Sequence, residues 1–389
     1  MGFWTKVQQA LTVRDIPFRE IVEGANDVII IVHASSGQIL YANPSVAKLL
    51  GYAPADLTGG MFTHICAPAS VSRSAELIAD AWEAGGAVST ELFLLHASGE
   101  SIPVEISTRL DKFAGQPAII LYIRDIRERL RLQRIIEDQN RKLLESIQYA
   151  RRLQIAALPP PAEVAQLGYD SFVIYIPRDI VSGDFYWIGQ REGYKYVLLG
   201  DCTGHGVPGA MMVMLSLALI NQAFQSIPIP TPAQLLTSFH RSLAAILNVE
   251  KVRDGADAIL IRFDPSATSL WWASAGRPLL YVQDGRLCEA KGERYAIGGA
   301  TPPDHTWEDH VLPLQPGMRI FLSTDGYADQ FGGPKGKKLM TGPFKRILED
   351  TSSLPLAQQK EALLTFFHDW KGSFEQIDDV LIVAFEIKA

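Results

Sequence analysis

The chain has 389 residues, of which 47% are hydrophobic and 20% are charged, and its formal net charge is −7 at pH 7. This length exceeds one ordinary hydrophobic core, so we expect two domains and a connector with the composition of a globular protein. The negative charge marks no nucleic-acid-binding or anionic-membrane-binding surface, so we expect neither nucleic acid nor membrane as a partner.

The three cysteines, Cys66, Cys202 and Cys288, are odd in number and far apart. This spacing argues against a disulfide framework and against a CxxC zinc site, and it fits a reducing cytoplasm. The N-terminal residues 1–6 lack the apolar core of a signal peptide. The longest apolar run, Ala210–Ile220, is shorter than a membrane span, so we expect it to form a buried helix.

Residues 15–127, behind an extension at 1–14, follow the pattern strand, strand, short helices, then three strands. Turn residues at 35–37 separate two apolar runs, which indicates a hairpin. The last three segments alternate as half-buried antiparallel strands do. We therefore expect an antiparallel five-stranded sheet with helices.

This segment resembles PAS sensor domains in the words Tyr-Ala-Asn-Pro at 41–44, Leu-Leu-Gly-Tyr at 49–52 and Arg-Asp-Ile-Arg-Glu at 124–128. The resemblance implies a PAS fold, whose ligand stays unknown. Cys66 does not stand in the Asn-Cys-Arg-Phe word of the photoactive flavin subtype, so a cysteinyl adduct is not expected. His64 and His96 are open as haem ligands, with packed or surface histidines as the alternative.

Residues 128–158 contain no glycine or proline and precede three prolines, so we expect one helix. Its apolar stripe at roughly heptad spacing consists of Leu132, Ile136, Leu143, Ile147, Ala150 and Ala157. The polar Gln139, Asn140 and Gln154 interrupt this stripe, which weakens a coiled coil but fixes its register. One interpretation is a helix packed on its own domain. We favour a coiled-coil signalling helix, in a parallel homodimer through the PAS domain and this helix.

The remaining segment, 159–389, carries four carboxylates at predicted strand ends. Asp201 follows an apolar run and precedes a glycine-rich turn, and Asp184, Asp325 and Asp378 have similar settings. A charged carboxylate at the end of a buried strand is costly unless it is paired or metal-bound. An Asp before Gly is often a turn residue, which would explain Asp325 by itself. The four together predict one converging site.

The order and wording of these blocks resemble the PPM family of metal-dependent protein phosphatases, in its bacterial SpoIIE-like branch and SiaA-like subset. The matching words stand at 176–187, 200–210, 273–278 and 325–333. The resemblance implies a PPM-type α/β-β/α sandwich, in which paired sheets lie between helices. It also implies two Mn²⁺ or Mg²⁺ ions that activate water for phosphate ester hydrolysis.

The implied metal ligands are Asp184, Asp201, the backbone carbonyl of Cys202, Asp325, Asp378 and, as second member of the last pair, Asp379. Asp201 would bridge both ions, which makes it and Asp184 central to catalysis. Carboxylate and carbonyl oxygens select Mg²⁺ or Mn²⁺ over zinc. Relatives usually carry Thr near the position of Leu381, and this chain departs from them there.

Two further residues are candidates for the chemistry. His205 is a candidate general acid, because histidine commonly has that role. It stands four positions after Asp201, whereas the proposed acid of eukaryotic-type members stands two after, so the alternative is a turn shaped by its neighbouring glycines. Arg178 is a candidate phosphate contact by its position before the Asp184 block. The thiol of Cys202 is expected to be inert packing.

The resemblance implies a protein Ser/Thr phosphatase acting on a small phosphorylated regulator, such as a STAS-domain anti-sigma antagonist, in partner-switching signalling. A different class of function is a catalytically weak scaffold that binds its phosphoprotein partner. A nucleotide cyclase is a third class, but the Gly-Gly-Asp-Glu-Phe word and a P-loop are missing from the sequence.

Overall fold

The computed structural model describes residues 18–84, 88–247 and 253–388. The chain divides into two compact units, Met1–Arg141 and Lys142–Ala389, and the division falls within one long helix. The predicted extension at 1–14 lies outside the described residues. The domain boundaries given above stay predictions.

The N-terminal unit contains the expected five-stranded antiparallel sheet. Its strands are β1 Val28–His33, β2 Ile39–Ala42, β3 Val88–Leu95, β4 Ser101–Phe113 and β5 Gln116–Asp125, in the spatial order β2-β1-β5-β4-β3. Its helices are α1 Phe18–Glu23, α2 Ser45–Leu50, α3 Pro54–Leu57 and α4 Val71–Ala84, with 3₁₀ turns at Phe62–Ile65 and Pro68–Ser70. The core forms because alternate residues of β1 and β5, such as Ile30 and Leu121, face one side of the sheet together with Leu77 of α4.

Neither candidate haem histidine lies in that core. His64 is exposed. The ring of His96 lies against Gly51, and its Nδ1 is 2.8 Å from the hydroxyl of Ser98 on a turn. The structure therefore favours the surface alternative for His64 and the packed alternative for His96.

Helix α5, Arg127–Ala157, forms where the sequence predicts a helix. At its start, the carboxylate of Asp125 accepts a hydrogen bond from the backbone N–H of Arg127, which caps the first turn. The stripe residues Leu132, Ile136 and Leu143 are 53%, 56% and 60% exposed. This part of the stripe is therefore largely uncovered by the described residues of the chain.

The stripe pattern placed Gln154 in the seam of a coiled coil, but the structure buries it elsewhere. Its Nε2 donates to the carbonyl of Ser182 at 2.6 Å, and its Oε1 accepts from the N–H of Ser182 at 3.0 Å. The last turns of α5 therefore pack within the C-terminal unit, where this side chain has both of its hydrogen-bond partners.

The C-terminal unit contains two antiparallel sheets. The strands of sheet I are β7 Asp184–Arg191, β8 Tyr194–Cys202, β9 Gly255–Phe263, β10 Ser269–Ala275, β13 Ile297–Gly298 and β14 His310–Pro313. The strands of sheet II are β6 Asp170–Ile176, β11 Leu279–Gln283, β12 Arg286–Ala290, β15 Arg319–Ser323 and β18 Val380–Glu386. Sheet I has the order β14-β10-β9-β8-β7, with β13 paired to β9, and sheet II has the order β12-β11-β15-β18-β6.

Helices cover the outer faces of both sheets. The remaining elements are α6 Pro161–Ala165, α7 Gly206–Ser226, α8 Pro232–Leu247, α9 Gly326–Asp329, α10 Thr341–Asp350 and α11 Leu356–Lys371, with a small hairpin of β16 Phe331–Gly332 and β17 Lys337–Lys338. One core lies between sheet I and helices α7 and α8, and another lies between sheet II and helices α9 to α11. A third core joins the two sheets face to face.

Alternation along the strands sorts side chains between these cores. In β8, Val197 and Leu199 face sheet II, whereas Tyr196 and Leu198 face the helices. Leu381, which departs from the family's usual Thr, is fully buried between the sheets. A leucine is suited to this position because it has no polar group that needs a partner there.

Helix α7 contains the apolar run 210–220 noted in the sequence. By length and composition it is the one described helix that could cross a membrane, with a mean hydropathy of 1.6 over its most apolar window. Residues such as Val213, Leu217 and Ile220 are buried in the core shared with sheet I. The packing is that of a core helix.

Candidate active site

Strand register brings three aspartates into one row at the end of sheet I. Asp184 begins β7 and lies directly opposite Asp201 in β8, which lies opposite Asp257 in β9. Directly paired residues of antiparallel strands point to the same face, so all three point to the face of Leu199, toward sheet II. The third aspartate was not among the predicted site residues.

Sheet II supplies carboxylates to the same place. Asp325 follows the end of β15, and Asp378 precedes the start of β18. A cavity of about 320 Å³ is lined by both of these and by Asp201 and Asp257. The structure thus brings Asp201, Asp325 and Asp378 together, and their role as metal ligands stays a prediction.

Burial makes this cluster electrostatically costly. Asp184 is 1% exposed, and its Oδ2 accepts a hydrogen bond of 2.8 Å from the hydroxyl of Thr324. Burial raises the pKa of Asp184, and the charge of Asp201 raises it further. Burial also raises the pKa of Asp201 to about 7, against the lowering effect of Arg277. The pocket therefore favours a bound cation, which would stabilise the charged carboxylates.

Arg277 is the positive side chain within the cavity. Its Nη2 contacts Oδ2 of Asp201 and lies 3.1 Å from Oδ2 of Asp325. Its Nε lies 3.3 Å from Oδ2 of Asp257, without the alignment of a hydrogen bond. The sequence showed Arg277 inside a matching word, but gave it no role.

Asp379 has different contacts from Asp378. It is 2% exposed, and its two carboxylate oxygens accept hydrogen bonds of 2.7 Å from the backbone N–H groups of Arg178 and Gly183. These bonds tie the loop before β7 to the start of β18. Asp378 lines the cavity and Asp379 is not among its lining residues, and a role in metal binding stays a prediction for both.

Cys202 lies at the end of β8, and its backbone N–H donates to the carbonyl of Gly183 in the neighbouring loop at 3.0 Å. A Cβ at Gly183 would press on the carbonyl oxygens of Cys202 and Gly204, so only glycine allows the two segments to approach so closely. The thiol of Cys202 is buried, which raises its pKa, and its Sγ lies 3.7 Å from the hydroxyl of Ser216. A protonated, buried thiol fits the packing role expected of it.

His205 lines the cavity, at the start of α7. Its Nδ1 lies 2.9 Å from Oδ2 of Asp179, and the side chains are 51% and 43% exposed. Arg178 has an exposed side chain and is not among the residues that line the cavity. The structure therefore places His205, and not Arg178, beside the carboxylates.

The donor set suits a hard divalent cation. The cavity offers carboxylate oxygens from Asp201, Asp257, Asp325 and Asp378, and oxygen ligands are those that Mg²⁺ and Mn²⁺ prefer. Within the described ranges, however, no three His, Cys, Asp or Glu side chains stand close enough together to hold an ion as they are. The oxygen donors fit Mg²⁺ or Mn²⁺, and the guanidinium of Arg277 lies between the carboxylates.

Two signals in the sequence point to the residues that were missed. Asp257 stands two and four positions before Ile259 and Ile261, so strand alternation places it on the same face as these core residues. Arg277 follows directly after a glycine and stands inside the matching word at 273–278. Neither signal identifies a partner, because the partners come from other strands.

Comparison with known proteins gives matches to both units. Residues 191–388 match the family model described as Stage II sporulation protein E (SpoIIE), and residues 26–128 match a PAS domain model. The phosphoserine phosphatase RsbP of Bacillus subtilis (strain 168) is 25% identical over 250 residues, which are 62% of this chain and 58% of RsbP. This chain therefore spans less than two thirds of that relative.

The SiaA-PP2C domain of Pseudomonas aeruginosa is a solved structure with 34% sequence identity and a TM-score of 0.59. The match covers 64% of this chain and 99% of that domain. These findings confirm a PAS domain and a PP2C-like fold. The pairing of α5 as a coiled coil stays a prediction.

Proposed function

The chain belongs to the SpoIIE family, and on that basis we propose that it is a metal-dependent protein phosphatase that acts on phosphorylated Ser or Thr. The observation that carries this proposal is the meeting of Asp201, Asp325 and Asp378 in one cavity, with Asp184 buried beside them. The two facing sheets contribute to this cluster from opposite sides. Hydrolysis of a phosphate ester requires positive charge around the phosphoryl oxygens and an activated water, which two Mn²⁺ or Mg²⁺ ions supply when bound.

Different residues of the chain would hold the two ions. Asp201 would be shared between the ions, and Asp325 and Asp378 would complete the second metal position from the opposite sheet. Asp184 and the backbone carbonyl of Cys202 would complete the set. Asp184 is buried on one side of the cluster, while the side chain of Asp325 is 45% exposed on the other.

His205 is placed to move a proton. The Nδ1–H of His205 donates to Oδ2 of Asp179, which orients the ring and leaves Nε2 for the substrate. In this proposal His205 gives a proton to the side-chain oxygen of the Ser or Thr as its bond to phosphorus breaks, so that this oxygen leaves as a hydroxyl. Its partial exposure keeps it in reach of solvent protons.

The substrate we propose is a small phosphorylated regulator of the STAS-domain kind, and the setting is bacterial partner-switching signalling in the cytoplasm. The relative RsbP carries phosphoserine in its name, which supports phosphoserine as the group removed. The exposure of Asp325 at the edge of the cavity suits a phosphorylated side chain presented by a protein surface.

Regulation by the PAS domain would pass through α5. The exposed stripe residues Leu132, Ile136 and Leu143 offer a surface for a second copy, so we propose a parallel homodimer along this helix. At the other end, Gln154 bonds both backbone groups of Ser182, two residues before Asp184. A change in the pairing of α5 can therefore reach the metal ligands through one short segment.

The helix is tested by Leu143→Asp, with Gln148→Asp as matched control, because Gln148 is exposed and stands outside the apolar stripe. We expect the first variant to lose dimer mass in light scattering and to change its basal phosphatase rate on the same samples, because a charge in the seam is costly. The control should do neither. A dimeric Leu143→Asp protein with an unchanged rate would make α5 a spacer.

The alternative is a scaffold that binds a phosphoprotein without hydrolysing it. Release of phosphate from p-nitrophenyl phosphate and from a phosphoserine peptide separates the two. We expect release with Mn²⁺ or Mg²⁺, loss of release in EDTA, and recovery when the metal is restored. Binding of the peptide without release, at saturating Mn²⁺, would favour the scaffold.

A further inference from the structure

The acidic cavity contains a positively charged side chain, that of Arg277. Arg277 is 9% exposed, and its guanidinium contacts Asp201 and Asp257 from sheet I and Asp325 from sheet II. One positive charge is therefore shared among three of the four carboxylates that line the cavity.

The backbone holds Arg277 in this position. Gly276 has a φ of 87°, and a Cβ there would overlap the carboxylate of Asp257, so the turn needs glycine to seat the next residue against it. The hydroxyl of Ser274 donates to the carbonyl of Arg277, and accepts from its N–H at 3.2 Å. The guanidinium is thus anchored by a closed turn at the end of β10.

The guanidinium uses the oxygens that a metal ion would need. Its Nη2 contacts Oδ2 of both Asp201 and Asp325, which lie on opposite sides of the cavity. A divalent ion bound to the same oxygens would face a positive charge a few ångströms away, in a partly buried site where screening is weak. The guanidinium and the ion therefore cannot both hold these oxygens at low cost.

We propose that Arg277 competes with the metal for Asp201 and Asp325. Its guanidinium bridges the two sheets through these carboxylates, and it leaves them, keeping Asp257, when the cavity takes its divalent ions. The inference rests on the proposed function, because it takes Asp201 and Asp325 to be metal ligands. Arg277 is then a positioning residue that keeps the metal-free site folded and sets the ion concentration at which it fills.

The test is the binding of Mn²⁺ to the full-length protein, measured by calorimetry at pH 8, together with the melting temperature in EDTA. For Arg277→Gln we expect Mn²⁺ to bind about tenfold more tightly, within the usual range for coupled sites. We also expect a lower melting temperature in EDTA, because the carboxylates then repel one another without a counter-charge. Arg286→Gln, on an exposed hairpin, is the matched control and should behave as wild type.

A second variant keeps the test decisive if Arg277→Gln fails to fold without metal. Arg277→Gln combined with Asp257→Asn removes one positive and one negative charge, so the net charge of the cavity is unchanged. Asp257 is not one of the proposed metal ligands, so we expect this variant to fold in EDTA and still to bind Mn²⁺ more tightly than wild type, because Asp201 and Asp325 are free of the guanidinium.

Equal or weaker Mn²⁺ binding in the folded variants would overturn competition by Arg277, while the proposed function would stand. If the wild-type protein bound no Mn²⁺ at all, the proposed function would fall, and this inference with it. Mn²⁺ binding by the wild-type protein therefore tests the proposed function, and the difference between variant and wild type tests the competition by Arg277.

Discussion

Both units bury polar side chains next to a strand, but they treat them differently. In the N-terminal unit, the amide of Asn43 is fully buried, accepts from the N–H of Ile29, and donates to the carbonyls of Val22 and Asp27. In the C-terminal unit, Asp201 lies among other carboxylates and has its pKa raised to about 7 by burial. A buried polar group whose hydrogen-bond partners all come from the chain stabilises the fold. A buried carboxylate whose negative charge is not fully balanced by the chain can bind a cation.

Substitution of Asp201 is expected to have the largest effect. Asp201→Asn removes the charge shared by the two proposed metal sites, so we expect the phosphatase rate to fall roughly a thousandfold with the fold intact. The rate is measured at saturating Mn²⁺, with circular dichroism on the same samples. Asp369→Asn, on the exposed side of α11, is the control. A rate close to wild type would remove Asp201 from the site.

Substitution of Asn43 tests the other side of the comparison. Asn43→Ala leaves three backbone groups without their partner, so we expect the free energy of unfolding of the N-terminal unit to fall by about 3 kcal/mol. Urea denaturation of the full chain, followed by probes in each unit, measures this. Mn²⁺ should not restore the loss. Recovery by Mn²⁺ would contradict a purely structural role.

The neighbours Asp378 and Asp379 sharpen the same distinction within one site. We expect Asp379→Asn to lower the free energy of unfolding by about 2 kcal/mol, because it weakens charge-assisted bonds to two backbone N–H groups. We expect Asp378→Asn to weaken Mn²⁺ binding and leave the melting temperature in EDTA unchanged or higher. If Asp379→Asn weakened Mn²⁺ binding and Asp378→Asn lowered the free energy of unfolding, the roles proposed for the two residues would be reversed.

Gln154 gives the smallest effect on stability. Gln154→Ala removes two hydrogen bonds to Ser182, and we expect a loss of about 1 kcal/mol in the free energy of unfolding. Because Ser182 lies two residues before Asp184, the phosphatase rate should also change. Gln148→Ala, exposed on the same helix, is the control. A destabilised variant with an unchanged rate would limit Gln154 to packing.

Local features of this protein could be predicted from its residues alone. A hairpin signal predicted the first two strands of the N-terminal unit and the alternation of apolar residues predicted the last three, while the absence of glycine and proline predicted α5. Aspartates at strand ends indicated a converging site, and Asp201, Asp325 and Asp378 do line one cavity. Such predictions are possible because periodicity and turn residues depend on neighbours along the chain.

The hydrogen-bond and ion-pair partners of the buried polar groups, in contrast, were determined by tertiary packing. The sequence could not show that Asp257 lies opposite Asp201, that Arg277 reaches across to Asp325, or that Gln154 turns toward Ser182. Each of these contacts depends on strand register or on the packing of separate elements. Periodicity fixes the face on which a residue lies, but the residue it meets is fixed by the elements packed against that face.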